Sequence, residues 1–346
     1  MSDTPIEKGG FIEFSNRLTG YRASMVLMLA HRSGLFAHLG SASMPASALC
    51  QQLGWDPVCG RRLLDCLHAL EILEASGDKF RLHAKVAGLL DPCSPLYQGA
   101  ALDFEQELFS AWQQLESTVR TGRRIHGSGI KPPDELHAAR KRYLGAMDGA
   151  ARIRAVEVWD CLDTIPEQGR ILDAGAGSGA FLCEFLRRCP HWSAIYCDLP
   201  EIVDRKDLHS GLDDFAGRIS WCGCNLLSDE PSPWDRIPEQ GCDLVLLSNL
   251  IHCQGETETR RLLAKALTKL SSNGRLLIHD FFKDGNPQGM LYDLHMMINT
   301  YNGRTYAMDE ILRMCGDGFP VHHTLHRIPS GSSLLVVQMA AKEEGL

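Results

Sequence analysis

Long hydrophobic runs are missing from this chain: no stretch approaches the roughly 20 apolar residues that a membrane-crossing helix needs. The N-terminus, MSDTPIEKGG, is polar and acidic and does not read as a signal peptide. A surplus of positive charge is missing too. Lys and Arg number 35 against 43 Asp and Glu, a net charge of −8, so nothing points to nucleic acid or an anionic membrane as the main partner. Cysteine is plentiful, at 13, but metal-ligand spacing is not. Cys222-Gly223-Cys224 is the only close pair, and with no second pair beside it no metal site is expected. An odd number of scattered thiols, several inside apolar segments, fits reduced cysteines in a cytoplasmic protein.

What is present begins with length: 346 residues, 44% of them apolar, is ordinary soluble composition and fits two domains. The most informative stretch is Ile171-Leu172-Asp173-Ala174-Gly175-Ala176-Gly177-Ser178-Gly179. An apolar strand-like run ends in an acid and a glycine turn, and an amphipathic helix pattern follows from Ala180. The glycines let the backbone take conformations closed to other residues and let a ligand come close. A dinucleotide site shows G-x-G-x-x-G; here Gly175, Gly177 and Gly179 are followed by Ala180. Asp173 suits a cation or amine more than a pyrophosphate. Asp198, closing the next apolar run in Tyr196-Cys197-Asp198, suits a ribose diol. Acid, GxGxG, then acid is the layout expected for S-adenosylmethionine, with S-adenosylhomocysteine as product.

These motifs carry a resemblance. DAGAGSG (173–179) and the DLPE of Asp198-Leu199-Pro200-Glu201 are similar to the cofactor motifs of small-molecule O-methyltransferases of the caffeate and hydroxyindole type and their bacterial polyketide relatives. The resemblance runs from about residue 15 to the C-terminus. It implies an α/β class I methyltransferase, a Rossmann-like doubly wound sheet with an antiparallel C-terminal edge strand, plus an all-α winged-helix N-terminal domain. The implied divisions are a winged-helix dimerisation domain over 12–100, a helical connector lining the acceptor pocket over 101–165, and an S-adenosylmethionine-binding domain over 166–346.

The residue pattern supports such an order. Residues 1–11 read as loose, and 12–39 carry Leu18, Met25, Leu29, Leu35 and Leu39 at helical spacing. Asp56-Pro57 opens a helix whose buried face is Leu63, Leu64, Leu67, Leu70 and Leu73. Gly77-Asp78 turns a short hairpin. Lys/Arg and Asp/Glu are nearly balanced over 1–100, so a DNA-binding reading of the winged helix lacks its basic face; the family's homodimerisation role is the expectation. A single helix over 104–125, with Phe109, Trp112, Leu115 and Val119 on one face, and a long helix over 136–164 follow. From Arg170 strands alternate with helices, the mark of a parallel sheet, at 170–174, 193–198, 218–223, 242–248 and 275–281. A hairpin of 320–328 and 333–340 ends the chain.

The resemblance also assigns a site. Asp173, Gly175, Gly177, Gly179, Asp198, Leu199, Asn225, Leu226 and Ser248 fall on cofactor positions, although the family has an acid where Asn225 stands and often Lys where Ser248 stands. Tyr143, Met147, His295, Met296, Asn299 and Arg304 fall where the acceptor would lie. His252 matches the family's general base, and an imidazole base should lose activity below about pH 6 as it charges. Asp280 matches the first of two acids that orient the base; Gly303 stands at the second. The Asp-Trp that follows the family's His is replaced by Cys253-Gln254. Hydroxyl methylation by a small-molecule methyltransferase is therefore expected, with methylation of a thioether or thiol acid, or of carbon, as the alternative because the base constellation is incomplete. A regulator, and a cofactor-binding protein without transfer chemistry, are the competing classes.

Overall fold

The computed structural model describes residues 9–123, 133–205, 209, 211–228, 233–239, 241–316 and 321–339, with 133–137, 233, 321 and 339 described only in backbone. Residues 1–8 of the segment expected to be loose, and the outermost residues of the terminal hairpin, 320 and 340, lie outside this set. The chain divides into two compact units, the first ending at Glu107 and the second starting at Leu108.

The first unit opens with α1 (Gly10–Thr19), α2 (Tyr21–Arg32) and α3 (Leu35–Leu39). The single expected stretch is three helices: Gly20 separates α1 from α2, and Gly34 takes a left-handed conformation (φ 80°) between α2 and α3; helix already begins at Gly10, within the segment expected to be loose. There follow β1 (Met44–Pro45), α4 (Ala46–Leu53), α5 (Pro57–Ala69), β2 (Leu73–Ser76), β3 (Lys79–Leu82) and α6 (Ala87–Leu90). Asp56 caps α5, its Oδ1 accepting from the Val58 and Cys59 amides at 3.1 and 2.8 Å, and Pro57 occupies the first turn. The hairpin β2–β3 takes on β1 as a third strand. Leu35, Phe36, Leu39, Leu49, Leu64, Leu67, Leu73 and Phe80 form one core. Leu70 is 40% exposed, because α5 ends at Ala69 and Leu70 caps it in a non-helical conformation. On α1 and α2 the apolar residues Phe11, Ile12, Phe14, Leu18 and Tyr21 are all more than half exposed.

The expected single helix over 104–125 is two, α7 (Gly99–Trp112) and α8 (Leu115–Thr121). The chain turns at Gln113-Gln114, so Val119 leaves the face of Trp112 and is exposed. Then come α9 (Pro133–Asp160), β4 (Gly169–Ala174), α10 (Ala180–Arg188), β5 (Trp192–Asp198), α11 (Pro200–Val203), β6 (Ile219–Gly223), β7 (Cys242–Ser248), α12 (Glu256–Lys269), β8 (Leu270–Asp280), α13 (Pro287–Asn299), α14 (Met308–Met314), β9 (Val321–Arg327) and β10 (Ser333–Met339). The sheet order is β6-β5-β4-β7-β8-β10-β9. The first five strands run parallel. The final hairpin is antiparallel, with β10 inserted between β8 and β9. This is the doubly wound sheet with an antiparallel edge that the resemblance implies.

Two apolar clusters flank the sheet: Leu172, Val245, Leu247, Leu276 and Ile278 belong to one, Ile171, Leu244, Leu246 and Leu277 to the other. Strands buried on both faces read as continuous apolar runs for this reason. The strand order reverses between β4 and β7. In open α/β sheets that switch point, at the carboxyl ends of the strands, is where ligands bind. Asp173, Asp198, Ser248 and Asp280 all stand at carboxyl ends of strands here. Among the described residues no helix is long and apolar enough to cross a membrane.

Candidate active site

A cavity of about 320 Å³ opens at that switch point, within the second unit. One end is made of backbone. After β4 the chain turns through Gly175, Gly177 and Gly179, all at positive φ, and the Gly175 and Ala176 amides both donate to the Cys197 carbonyl, at 2.8 and 3.1 Å. This ties the loop to β5. Gly177 N–H then donates to Asp198 Oδ2 at 2.7 Å, and Leu199 N–H to Oδ1 at 2.7 Å. A Cβ on Gly177 would meet only Leu144, at 3.8 Å, so the loop faces open space there. Gly179 has another task. A Cβ there would lie 2.4 Å from Leu212, so it permits packing and is not part of the cavity wall.

Asp173 is buried and neither carboxylate oxygen has a partner. Burial first, and the charge of Asp198 second, push it up to about 8. Such a group lacks a cation. The ammonium of S-adenosylmethionine would supply one, and Asp198, with lone pairs left after its two backbone bonds, can take a ribose diol. Burial also raises Asp198, opposed by the Gly177 and Leu199 amides. Leu199 and Ser248 are in the wall. Ser248 Oγ bonds His279 Nδ1 at 2.8 Å, and His279 Nε2 bonds Ser332 Oγ at 2.7 Å; burial drops His279 to about 3, so it is neutral. Asn225 and Leu226 are not in the wall. Asn225 Oδ1 accepts from the Leu227 amide at 3.0 Å, and Leu226 packs on the core.

The other end is made of side chains from distant segments. His252 Nδ1 lies 2.5 Å from Asp280 Oδ1, both buried. Burial alone would lower the imidazole, but Asp280, followed by Tyr292 and Cys253, carries it well above its ordinary value. With Nδ1–H donated to Asp280, Nε2 is the atom left to accept a proton. His252 is not itself in the wall; Leu250 and Cys253 on either side are, as is Tyr292, whose ring meets the imidazole edge-on at 5.0 Å. Asn249, also in the wall, holds a positive φ of 50°, a conformation kept at sites that over-determine it. At Gly303 a Cβ would meet the His252 carbonyl and Thr300 Oγ1, each at 2.5 Å. The position of the missing second acid is thus closed by backbone, and Tyr292 packs against His252.

Tyr143 and Met147 line the cavity. The other four expected acceptor residues do not. Met296 is in the core. His295 stacks on Trp112 at 6.2 Å, and burial lowers it to about 4. Asn299 Nδ2 donates to the His295 carbonyl at 3.0 Å. Arg304 pairs with Glu310 at 2.8 Å and lies over Tyr306. The spacing 143, 147 continues on α9 to Ala151 and Arg154, which are in the wall. That periodicity was the available signal for Arg154; nothing in the sequence marked Tyr292 over His295. The fold also brings Cys197 to Cys222 and Cys224, within 4.8 Å of one another and all buried in the core, a trio that strand register creates and spacing along the chain could not reveal.

A family model for an O-methyltransferase domain matches residues 112–320, and one for an O-methyltransferase dimerisation domain matches residues 16–87. The chain belongs to this O-methyltransferase family. Among its relatives is a 3-hydroxy-5-methyl-1-naphthoate 3-O-methyltransferase of Streptomyces sahachiroi, 28% identical over 84% of this chain and 83% of that one. Another is a 3-amino-4-hydroxybenzoate 4-O-methyltransferase of Streptomyces cremeus, 24% identical over 83% and 79%. The fold is that of human N-acetylserotonin methyltransferase solved in complex with S-adenosylmethionine (TM-score 0.78, 19% identity, 98% and 100% coverage). The chain is an S-adenosylmethionine-dependent O-methyltransferase acting on a small molecule, and transfer to sulfur or carbon is not favoured.

Proposed function

We propose that this enzyme methylates a hydroxyl on a small aromatic acceptor, with His252 as general base and Asp280 as its positioning residue. The observation that carries this is the buried His252–Asp280 contact of 2.5 Å beside the cavity. When bound, S-adenosylmethionine supplies an electrophilic methyl group on a sulfonium. Asp173 takes its ammonium, Asp198 its ribose, and the Gly175–Gly177 loop lets it approach. Tyr143, Met147 and Tyr292 would hold the acceptor ring and fix its orientation, with its hydroxyl toward His252. His252 Nε2 takes the hydroxyl proton, and Asp280 fixes the tautomer and steadies the imidazolium that forms. The named hydroxyaryl substrates of the two relatives above support an aromatic acceptor.

The exposed apolar stripe of α1 and α2, with the dimerisation-domain match, supports a homodimer through the N-terminal region; a stable monomer by light scattering at micromolar concentration would overturn it. All thirteen cysteines are free thiols, which supports a reducing, cytoplasmic setting. Balanced charge over the first hundred residues supports a small-molecule partner rather than nucleic acid. Incubation with methyl-labelled S-adenosylmethionine and a panel of hydroxyarenes, aliphatic alcohols and thioethers tests the acceptor class. Label should enter hydroxyarenes; label confined to thioethers would defeat the reading.

A further inference from the structure

The α9 face that presents Tyr143 and Met147 to the cavity ends in a cation. Arg154 lines the wall, and its guanidinium sits 5.1 Å over the ring of Phe281. Phe281 stacks on Tyr292 with centroids 4.0 Å apart, and Tyr292 meets His252 edge-on. Two stacked rings, Phe281 and Tyr292, therefore separate the cation from the proposed base.

Burial lowers its pKa, and although Tyr292, Glu157 and Asp280 favour the charged form from nearby, no direct ion pair holds it among the described residues. Arg154 Nε is buried without a hydrogen-bond partner. The neighbouring candidates are otherwise disposed. Asp280 Oδ1 takes His252 Nδ1 and the Phe281 amide. Glu157, three residues along the helix, keeps Oε2 buried and unpartnered. The wall's other arginine, Arg140, is held by Glu201, and Arg152 on the same helix by Asp148. A buried charge without a partner is costly, and a guanidinium is the side chain best shaped to take a carboxylate in two parallel hydrogen bonds.

We propose that Arg154 anchors a carboxylate of the methyl acceptor, which makes the substrate a hydroxylated aromatic acid lying against Tyr143 and Tyr292, both in the cavity wall, with its hydroxyl toward His252. This rests on the reading of the cavity as the acceptor site. The cofactor also carries a carboxylate, on the same carbon as its ammonium; that ammonium belongs beside Asp173, and Arg154 is held by the fields of Tyr292, Glu157 and Asp280 rather than of Asp173.

Calorimetry on the S-adenosylhomocysteine-loaded enzyme, with 3-hydroxy-1-naphthoate and its methyl ester as probes, tests this without turnover. The wild type should bind the acid about 10- to 100-fold more tightly than the ester, the scale of a charge-assisted hydrogen bond. Arg154→Met, which keeps the apolar stem, should erase that preference, and Arg154→Lys should restore part of it. Equal binding of acid and ester by the wild type, binding of neither, or a preference that survives in Arg154→Met would overturn the proposal. So would a loss in Arg154→Met that falls on S-adenosylhomocysteine but spares methylthioadenosine, which lacks the amino acid; the charge would then serve the cofactor. Methylation of uncharged hydroxyarenes alongside any of these results would leave the hydroxyl-methylation reading standing while the carboxylate anchor fell.

Discussion

The two ends of the cavity are built by opposite means. At the cofactor end, Asp173, Gly175, Gly177, Asp198 and Leu199 come from two stretches, each unbroken in the chain, and the bonds are mostly backbone amides to a carboxylate or carbonyl. At the acceptor end, Tyr143 and Arg154 come from α9, Cys253 and His252 from the turn after β7, Asp280 from β8 and Tyr292 from α13, and they meet through side chains. The proposed cofactor end is set by local conformation and would hold S-adenosylmethionine, on which the family depends. The acceptor end depends on how whole helices pack, so it can change its substrate without disturbing the sheet.

The largest expected effect lies at the acceptor end. His252→Ala should lower kcat by roughly 10²–10⁴-fold, the scale of general base catalysis, while leaving S-adenosylhomocysteine affinity unchanged, since Asp173 and Asp198 stand apart from it. The pH dependence should differ from that of an ordinary imidazole. Asp280 holds the His252 pKa well above the usual value near 6.5, so kcat/KM should climb with pH and level off only above that raised pKa, and not merely fade below pH ~6. The sign for stability is opposite. A raised folded-state pKa stabilises the fold fully below the unfolded value, and that contribution is lost as pH rises through the folded value. Activity should therefore gain over the interval in which this contribution to stability declines. A wild-type profile flat from pH 5 to 8 with undiminished kcat in His252→Ala would remove the base.

That contrast explains what the sequence could disclose. Asp173 to Gly179 and Asp198-Leu199 were legible because strand, turn and helix follow one another, and periodicity located every strand of the large sheet to within a few residues; β8 begins earlier than expected, at Leu270. His252 and Asp280 were legible only through resemblance. His295 and Asn299 share one face of α13 by their spacing, as expected, yet packing turns Tyr292 to the cavity and His295 to Trp112. Periodicity says which residues share a face, as Tyr292 and His295 do with rings 5.3 Å apart, not which of them meets the ligand. Gly303 looked like a lost acid; in the fold a side chain there would run into the His252 carbonyl, a constraint no local pattern encodes.

Gly303 offers a second, smaller test. If the acceptor end were merely missing an acid, Gly303→Glu should improve the base. The contacts say otherwise: a Cβ there would press on the His252 carbonyl and Thr300 Oγ1 at 2.5 Å. Forcing atoms into a packed site costs about 1–3 kcal/mol, so the variant should melt several degrees lower, by calorimetric scan, and lose activity. A variant as stable as wild type and faster would mean that the segment around Gly303 yields, and that the second acid was simply lost.

The smallest expected effect is at the cofactor end and concerns a single proton. Burial and Asp198 raise Asp173 to about 8, so at pH 7 the free enzyme holds this group largely protonated. An ammonium placed against it favours the carboxylate and lowers its pKa, so binding S-adenosylhomocysteine at pH 7 should release close to one proton. Calorimetry in two buffers of different ionisation enthalpy measures that directly. Affinity should also weaken as pH falls below 8, by at most about tenfold per unit, since one pKa unit is worth about 1.4 kcal/mol. Asp173→Asn should abolish both the proton release and this pH dependence. Binding without proton release by the wild type would place the ligand's amine elsewhere, and the two ends of the cavity would then no longer divide the charges as described.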